Sequence, residues 1–364
     1  MESYGAPVKE PPAWKLQYKI GSGSFGTVFL EKVQTRTMAH AELWAVKRIS
    51  RTIPNFPAKR YKDEIKNFQA LSAYPWFVKF NISYEDAHNV YIAMEYIPIG
   101  DMTKTFDKGY KWKESDTKVV IEQLLQGLVV MHKEGITHRD LKPENIFLCL
   151  PDGEGRTLRV KIGDFGTSKR IPISNSSTYL KTATGTESYM APEMDDTSKP
   201  KTNRVDIWSL GCVLYRMVAG RNLFSGRNEV FRYSIREASP PQVIEKLGLS
   251  VAGLNFLRDV LQADQKDRPS AEVCLKMAWI TNMSPESMYS ISRDLYNRLA
   301  KIKNEAPDID SFIYTARSQV VNPSAPERGF PSSPAPMSNS VGGTPETTKT
   351  SDTTSTMTSR LATD

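Results

Sequence analysis

Cysteine is scarce. The 364 residues hold three, Cys149, Cys212 and Cys274, each set singly among apolar neighbours. That spacing argues against a disulfide framework or a zinc site, and points to reduced, buried thiols in a cytoplasmic or nuclear protein. No stretch approaches the roughly 20 apolar residues of a membrane-spanning helix. The opening Met1-Glu2-Ser3-Tyr4-Gly5 has no basic region leading into an apolar one. Neither a membrane nor a secretory leader is therefore expected. Dense basic tracts are missing too, so the net charge of +7 reads as a solvated surface rather than a nucleic-acid footprint. No repeat of solenoid period is visible. The remainder, 39% hydrophobic and 24% charged, is an ordinary globular composition, enough for one large or two modest domains.

Residues 1–13, with Pro7, Pro11 and Pro12, read as a flexible lead-in. Strands then dominate: two around a glycine-rich turn within 14–30, a third at 43–49, and two more near 78–84 and 90–96. A helix over 59–72 interrupts them, with Ile65, Phe68 and Leu71 on or near one face. After Pro98-Ile99-Gly100 helical patterns prevail, at about 101–106, 114–134, 203–219, 228–236, 250–261 and 270–277. Short strands at 146–150 and 159–162 flank a hairpin loop. The pattern predicts an α+β, bilobal architecture. A small β-rich lobe (about 14–96) and a larger helical lobe (about 97–280) meet at a cleft, joined near 95–101. A helix over 285–304 is expected within an extension spanning 281–317, with Pro285 in its first turn and Met288, Ile291, Leu295, Leu299 and Ile302 at helical spacing. Residues 318–364, dominated by Ser, Thr, Pro and Gly, are expected to be disordered.

One polar loop lies between apolar runs: His138-Arg139-Asp140-Leu141-Lys142-Pro143-Glu144-Asn145. It offers a carboxylate that can take a proton (Asp140), a cation (Lys142) and an oxygen donor for a hard metal (Asn145). Upstream, Gly21-Ser22-Gly23-Ser24-Phe25-Gly26 would let backbone N–H groups approach phosphate oxygens with no Cβ in the way. Alone it is equally a turn or a dinucleotide-binding loop. A dinucleotide fold, however, needs a helix directly after the glycines and an acid about 20 residues on. Here Val28-Phe29-Leu30 continues as strand, and Lys47 stands 21 residues after Gly26. Lys47 lies on a strand, and Glu64 follows 17 residues later as a matching carboxylate. Asp63 is adjacent, but Phe68 and Leu71 turn the Glu64 face inward. Asp164-Phe165-Gly166 supplies a second hard oxygen donor, 24 residues after Asp140. Ala191-Pro192-Glu193, Asp206-Ile207-Trp208-Ser209-Leu210-Gly211 and Asp267-Arg268-Pro269 complete the series.

Each motif has a chance explanation by itself. In this order and spacing, over about 14–280, they resemble the serine/threonine protein kinases. The resemblance implies ATP and Mg²⁺ as cofactors and proteins as substrates. Asp140 would accept and orient the substrate hydroxyl, and Lys142 would neutralise charge near the γ-phosphate. Asn145 and Asp164 would hold Mg²⁺. Lys47, fixed by Glu64, would position the α- and β-phosphates under loop 21–26. Adenine would lie between Val28 and Ala45 above and Phe147 below, with its edge on backbone groups of Glu95 and Ile97. Met94 would guard the deeper pocket and Asp101 would bind the ribose. Arg268 would pair with buried Glu193, and Asp206 would hold the catalytic-loop backbone.

Lys142 and Thr186 speak for serine or threonine rather than tyrosine acceptors. Arg139, with Lys169 as a second basic partner, implies control by an upstream kinase that phosphorylates Thr182 or, second, Thr184. Met94-Glu95-Tyr96 and the long hairpin 151–157 resemble the calcium/calmodulin-dependent-like group. Arg216 departs from it, because basophilic relatives often carry an acid there. The extension helix, with Arg293, Arg298, Lys301 and Lys303, reads first as packed on the larger lobe and second as a calmodulin-binding segment. A monomer is expected. The rival reading is a kinase-fold scaffold without catalysis. Such a scaffold would be expected to have lost Lys47, Asp140 or Asp164, and all three are present.

Overall fold

A computed structural model describes residues 17–23, 26–33, 41–52, 58–170, 186–195, 201–235, 244, 247–282 and 289–307. The lead-in 1–13, the tail 318–364, Ser24, Phe25, Thr182 and Thr184 lie outside the described residues.

The first lobe is one five-stranded antiparallel sheet in the order β1-β2-β3-β5-β4. Its strands are β1 (Gln17–Gly23), β2 (Gly26–Val33), β3 (Glu42–Ser50), β4 (Phe80–Glu85) and β5 (Asn89–Glu95), with α1 (Ala58–Leu71) between β3 and β4. Directly opposed residues share a face of a sheet, as do residues two apart on one strand. The register sets Val28 opposite Lys47 and Lys47 opposite Ile92, and one step along sets Leu30, Ala45 and Met94 in a row. Val28, Ala45, Lys47 and Met94 therefore lie on a single face. One slip of register would scatter them.

The second lobe begins with a 3-10 turn, Met102–Gly109, followed by α2 (Glu114–Lys133), β6 (Ile136–Thr137), β7 (Ile146–Cys149), β8 (Arg159–Ile162) and β9 (Lys169–Arg170). Helices α3 (Arg204–Ala219), α4 (Arg227–Ile235), α5 (Val251–Val260), α6 (Ala271–Cys274), α7 (Ala278–Thr281) and α8 (Arg293–Asn304) complete it. Helix α3 is buried without a break from Val205 to Tyr215 and forms the centre of the lobe. Gly211 permits this: a Cβ there would come within 2.9 Å of Leu261 and Val260 side-chain atoms. Gly220, at φ +71°, ends the helix in the left-handed conformation, its N–H bonded to the Arg216 carbonyl.

The extension departs from expectation. Helix α8 starts at Arg293 rather than Pro285, and 283–288 lie outside the described residues. Ser292 is the N-cap, accepting from the Leu295 N–H. Before it, Tyr289, Ser290 and Ile291 run extended along the hairpin: Leu158 donates to Tyr289 O (2.8 Å) and Ile291 to Arg156 O (3.1 Å). Of the expected helix 270–277 only a single turn forms, α6, and the next turn, α7, lies just beyond it. The expected 101–106 helix is a 3-10 turn broken at Asp107 and Lys108. The β6–β9 pair was not foreseen, since two-residue strands carry no periodicity.

Candidate active site

The site begins with a lysine. Lys47 on β3 donates to Glu64 Oε1 of α1 (2.6 Å) and to Asp164 Oδ1 (2.9 Å). Burial alone would lower the Lys47 pKa; the Asp164 and Glu64 carboxylates outweigh it and raise it above the ordinary lysine range. Burial would likewise raise Asp164, but the Lys47 charge and the Gly166 N–H hold its carboxyl down at about 2. Lys47 and Asp164 are thus a fixed pair of opposite charges. Helix α1 is set in place by packing: Phe68, one turn after Glu64, meets Phe165 at 5.1 Å, and Phe165 meets His138 at 5.9 Å. This aromatic chain joins α1 to the polar loop. The sequence marks Phe68 as inward-facing but not as a partner of Phe165.

The polar loop hangs on Asp206, which is fully buried in the first turn of α3. Its Oδ2 accepts from His138 N (2.9 Å) and lies 2.9 Å from His132 Nε2, and its Oδ1 accepts from Arg139 N (2.8 Å). Burial would raise the Asp206 pKa, yet the His132 bond and charge and the neighbouring donors lower it overall. Arg139 sits at φ +68° and Asp164 at φ +56°, a region that costs a non-glycine residue about 1–2 kcal/mol. His138 Nε2 reaches Gly163 O (3.1 Å) while its Nδ1 accepts from Asp140 N (3.3 Å). That pattern fixes the proton on Nε2.

Around the loop, Lys142 Nζ lies 2.9 Å from Asp140 Oδ2 and donates to Thr186 Oγ1 (2.6 Å). Thr186 N–H donates to Asp140 Oδ1 (3.0 Å). Asn145 Nδ2 donates to Asp140 O (2.7 Å), which leaves the Asn145 carbonyl end as an oxygen donor. Asp101 caps the 3-10 turn through Oδ1; its Oδ2 takes no hydrogen bond among the described residues. It bridges antiparallel to Phe147 on β7. At the join between lobes Glu95 N–H is committed to Lys79 O (3.0 Å), whereas the buried Ile97 N–H has no partner among the described residues. The Glu95 side chain turns away, accepting from Lys161 Nζ (2.5 Å). The backbone of β1 and β2 brings Gly21 and Gly26 to the turn above this face, with Ser22 and Gly23 between them on β1.

The arrangement gathers two held cations, Lys47 and Lys142, two acids, Asp140 and Asp164, and the amide oxygen of Asn145. The protein kinase domain family matches residues 14–280. The chain belongs to the protein kinase family. Among similar proteins is CDPK-related kinase 4 of Arabidopsis thaliana, 30% identical over 284 residues, which covers 77% of this chain and 46% of the relative. Serine/threonine-protein kinase 33 of Mus musculus is 26% identical over 337 residues, 89% of this chain and 67% of the relative. A calcium/calmodulin-dependent protein kinase type 1 of Macrobrachium nipponense is 29% identical over 290 residues, 78% and 80% of the two chains. The kinase spans about half the length of the Arabidopsis relative.

Further from the cleft, the kinase buries Glu193 against Arg268 through two bonds, Nη1 to Oε1 at 2.7 Å and Nη2 to Oε2 at 2.6 Å. Arg268 also satisfies the carbonyls of Gln262, Ala263 and Arg204. This tie holds the segment after Thr186 to the end of α5.

Proposed function

We propose that this kinase transfers the γ-phosphate of ATP to serine and threonine hydroxyls of protein substrates. The observation that carries the reading is the convergence of Lys47, Glu64 and Asp164 beside the loop holding Asp140, Lys142 and Asn145. Phosphoryl transfer asks mainly for alignment and charge stabilisation. Asp140 orients the acceptor hydroxyl and takes its proton, and Lys142, bridging Asp140 and Thr186, spreads positive charge over the transferring group. Lys47 grips the α- and β-phosphates beneath the glycine turn. Ile97 N–H meets the adenine edge, Val28, Ala45 and Phe147 enclose the ring, Met94 lines its depth, and Asp101 Oδ2 meets the ribose.

The residues present fit Mg²⁺. Asn145 and the deprotonated Asp164 offer two hard oxygens, and such an ion takes its other ligands from water and phosphates. Bound there, it would neutralise phosphate charge.

Regulation by phosphorylation at Thr182, with Thr184 second, belongs to the same proposal. Lys169 supports it: burial and then the charges of Arg139 and Lys59 pull its pKa down, so three cations share one neighbourhood that a phosphate dianion would neutralise. An upstream kinase is the implied partner. Binding of calmodulin would require release of α8, whose Leu295 and Leu299 are fully buried. Unpaired cysteines favour the cytoplasm or nucleus. The deciding experiment is radiolabelled γ-phosphate transfer to a generic protein substrate with Mg²⁺, wild type against Asp140→Ala. Equal incorporation refutes the reading.

A further inference from the structure

We infer that Arg298 is a positioning residue for the nucleotide pocket, acting from α8, beyond the end of the family match at 280. The inference rests on the reading of Asp101 as the ribose ligand. Helix α8 grips two segments of the cleft from behind. Arg298 Nε donates to Thr105 O (3.1 Å) and Nη2 to Asp107 O (3.0 Å), at the far end of the turn that Asp101 caps. The same guanidinium lies 4.5 Å from the Tyr110 ring centre, and Tyr110 is tied back to α8 by its hydroxyl bond to Asp294 (2.9 Å). Five residues on, Lys303 Nζ donates to Leu150 O (3.1 Å) and to Asp152 (2.6 Å), just past β7.

The two gripped segments meet at the cleft, where Asp101 bridges Phe147 and Leu148 N–H donates to Gly100 O (3.1 Å). The result is a closed ring: α8, the 3-10 turn, the Asp101–Phe147 bridge, β7, and back to α8. The helix is anchored independently, by Ser292 on buried Asp116 (2.7 and 2.6 Å) and by buried Ile291, Leu295 and Leu299. Arg298 can therefore hold the turn without itself being held by it. At the turn's end Asp107 leaves helical geometry and Lys108 sits at φ +55°; the backbone gives the Asp107 carbonyl one bond, from the Tyr110 N–H (3.2 Å), and Arg298 supplies the second.

The test compares KM for ATP with KM for 2′,3′-dideoxy-ATP, which lacks both ribose hydroxyls, in the full-length chain. Arg298→Ala should raise KM for ATP about three- to tenfold, the effect of weakening one or two hydrogen bonds. It should leave KM for the dideoxy analogue and kcat at saturating ATP unchanged. Asp101→Ala should raise KM for ATP, and Arg298→Ala added to it should do no more. If Arg298→Ala does not fold, Arg298→Lys, which keeps the charge but loses the fork, should show the same contrast at about half the size in logarithmic terms. Equal rises for both nucleotides mean general loosening and overturn the inference, as does no rise for either while Asp101→Ala raises KM for ATP. If Asp101→Ala leaves KM for ATP unchanged, the ribose assignment fails and the inference falls with it, while phosphotransfer itself stands.

Discussion

Asp206→Asn isolates what holds the catalytic loop. The change is isosteric, removes one charge and converts one acceptor into a donor. If the amide oxygen replaces Oδ2, it still serves His132 and His138, but the amide nitrogen then faces the Arg139 N–H. The opposite orientation breaks two contacts instead of one. Even the better choice loses a bond to a charged acceptor and orphans a buried N–H, together about 3 kcal/mol. The surviving bonds weaken too, since a neutral acceptor gives roughly half the strength of a charged one. Arg139, held at φ +68° by the lost bond, is then free to relax and to carry Asp140 out of line. The unfolding midpoint should fall by roughly 6–12 °C. The value of kcat should fall at least about tenfold, since small misplacements are costly in catalysis. KM for ATP should change little, because Lys47 and Glu64 make no contact with residue 206. Thermal unfolding followed by circular dichroism, with steady-state phosphotransfer beside it, reads both quantities. Asp140→Asn is the contrast, losing kcat without a comparable loss of stability. An Asp206→Asn kinase that melts with wild type and keeps full kcat refutes the reasoning.

Other parts of the molecule invite similar tests. Burial pushes the Glu31 carboxyl up to about 7 against the opposing charge of Arg48, and its Oε2 has no hydrogen-bond partner among the described residues. The native state therefore holds a proton that the unfolded chain, titrating near 4.3, has released, so stability is lost as pH rises from about 4 through 7. Glu31→Gln should raise the melting temperature by several degrees at pH 8 and not at pH 4.5, an upper bound on the order of 3 kcal/mol; an equal gain at both refutes it. Arg268→Met strands the Glu193 carboxylate and three carbonyls and should cost about 3–5 kcal/mol in urea unfolding. Adding Glu193→Leu should recover part of that, and a purely additive double mutant counts against a coupled pair. Thr182→Ala should lower activity strongly; full activity with no phosphate anywhere between Asp164 and Glu193 sinks that assignment. Arg216 stacks on Phe106 (4.6 Å) and donates to Gly220 O (2.9 Å), so its charge is held in place. Arg216→Glu should move a position-scanned peptide library towards basic residues near the acceptor, and an unchanged profile removes Arg216 from substrate choice.

What was legible in the sequence was chemistry out of place. Lys47 among apolar strand residues, Asp206 opening an apolar helix, and Asp140 between two apolar runs are charges that burial forbids unless partners exist. Glu64 is marked as the partner of Lys47 by its place one turn before Phe68 on the inward face of its helix, and the role of Asp206 follows from the resemblance to the kinases. The resemblance to the kinases is what grouped Val28, Ala45 and Met94 around one ligand; the strand pairing that puts them on one face appears only in the fold. The extension shows where the same method fails. Ile291 fits the helical stripe of Leu295 and Leu299 and is equally buried, yet it lies in extended chain. An apolar residue satisfies either geometry. The choice is made by Asp116, 176 residues away, which takes the Ser292 N–H and hydroxyl and starts the helix there. No local window contains that carboxylate.

The left-handed residues carry the same lesson into the site. Local preference alone would place Arg139 and Asp164 at negative φ, because neither is glycine. Arg139 is held by Asp206, 67 residues on, and Asp164 by Lys47, 117 residues back. Together the two conformations cost about 2–4 kcal/mol, a sizeable share of a domain's net stability. Strain of this kind persists only where surrounding structure over-determines it. Here the structure that does so is polar and buried: one carboxylate in α3 and one ammonium in β3. The two loops that must meet over the transferring phosphate are therefore aimed from opposite lobes. Removing either holder should release one loop and leave the other in place, so Asp206→Asn and Lys47→Met should damage catalysis by separable routes: the first through kcat and stability, the second through nucleotide binding as well.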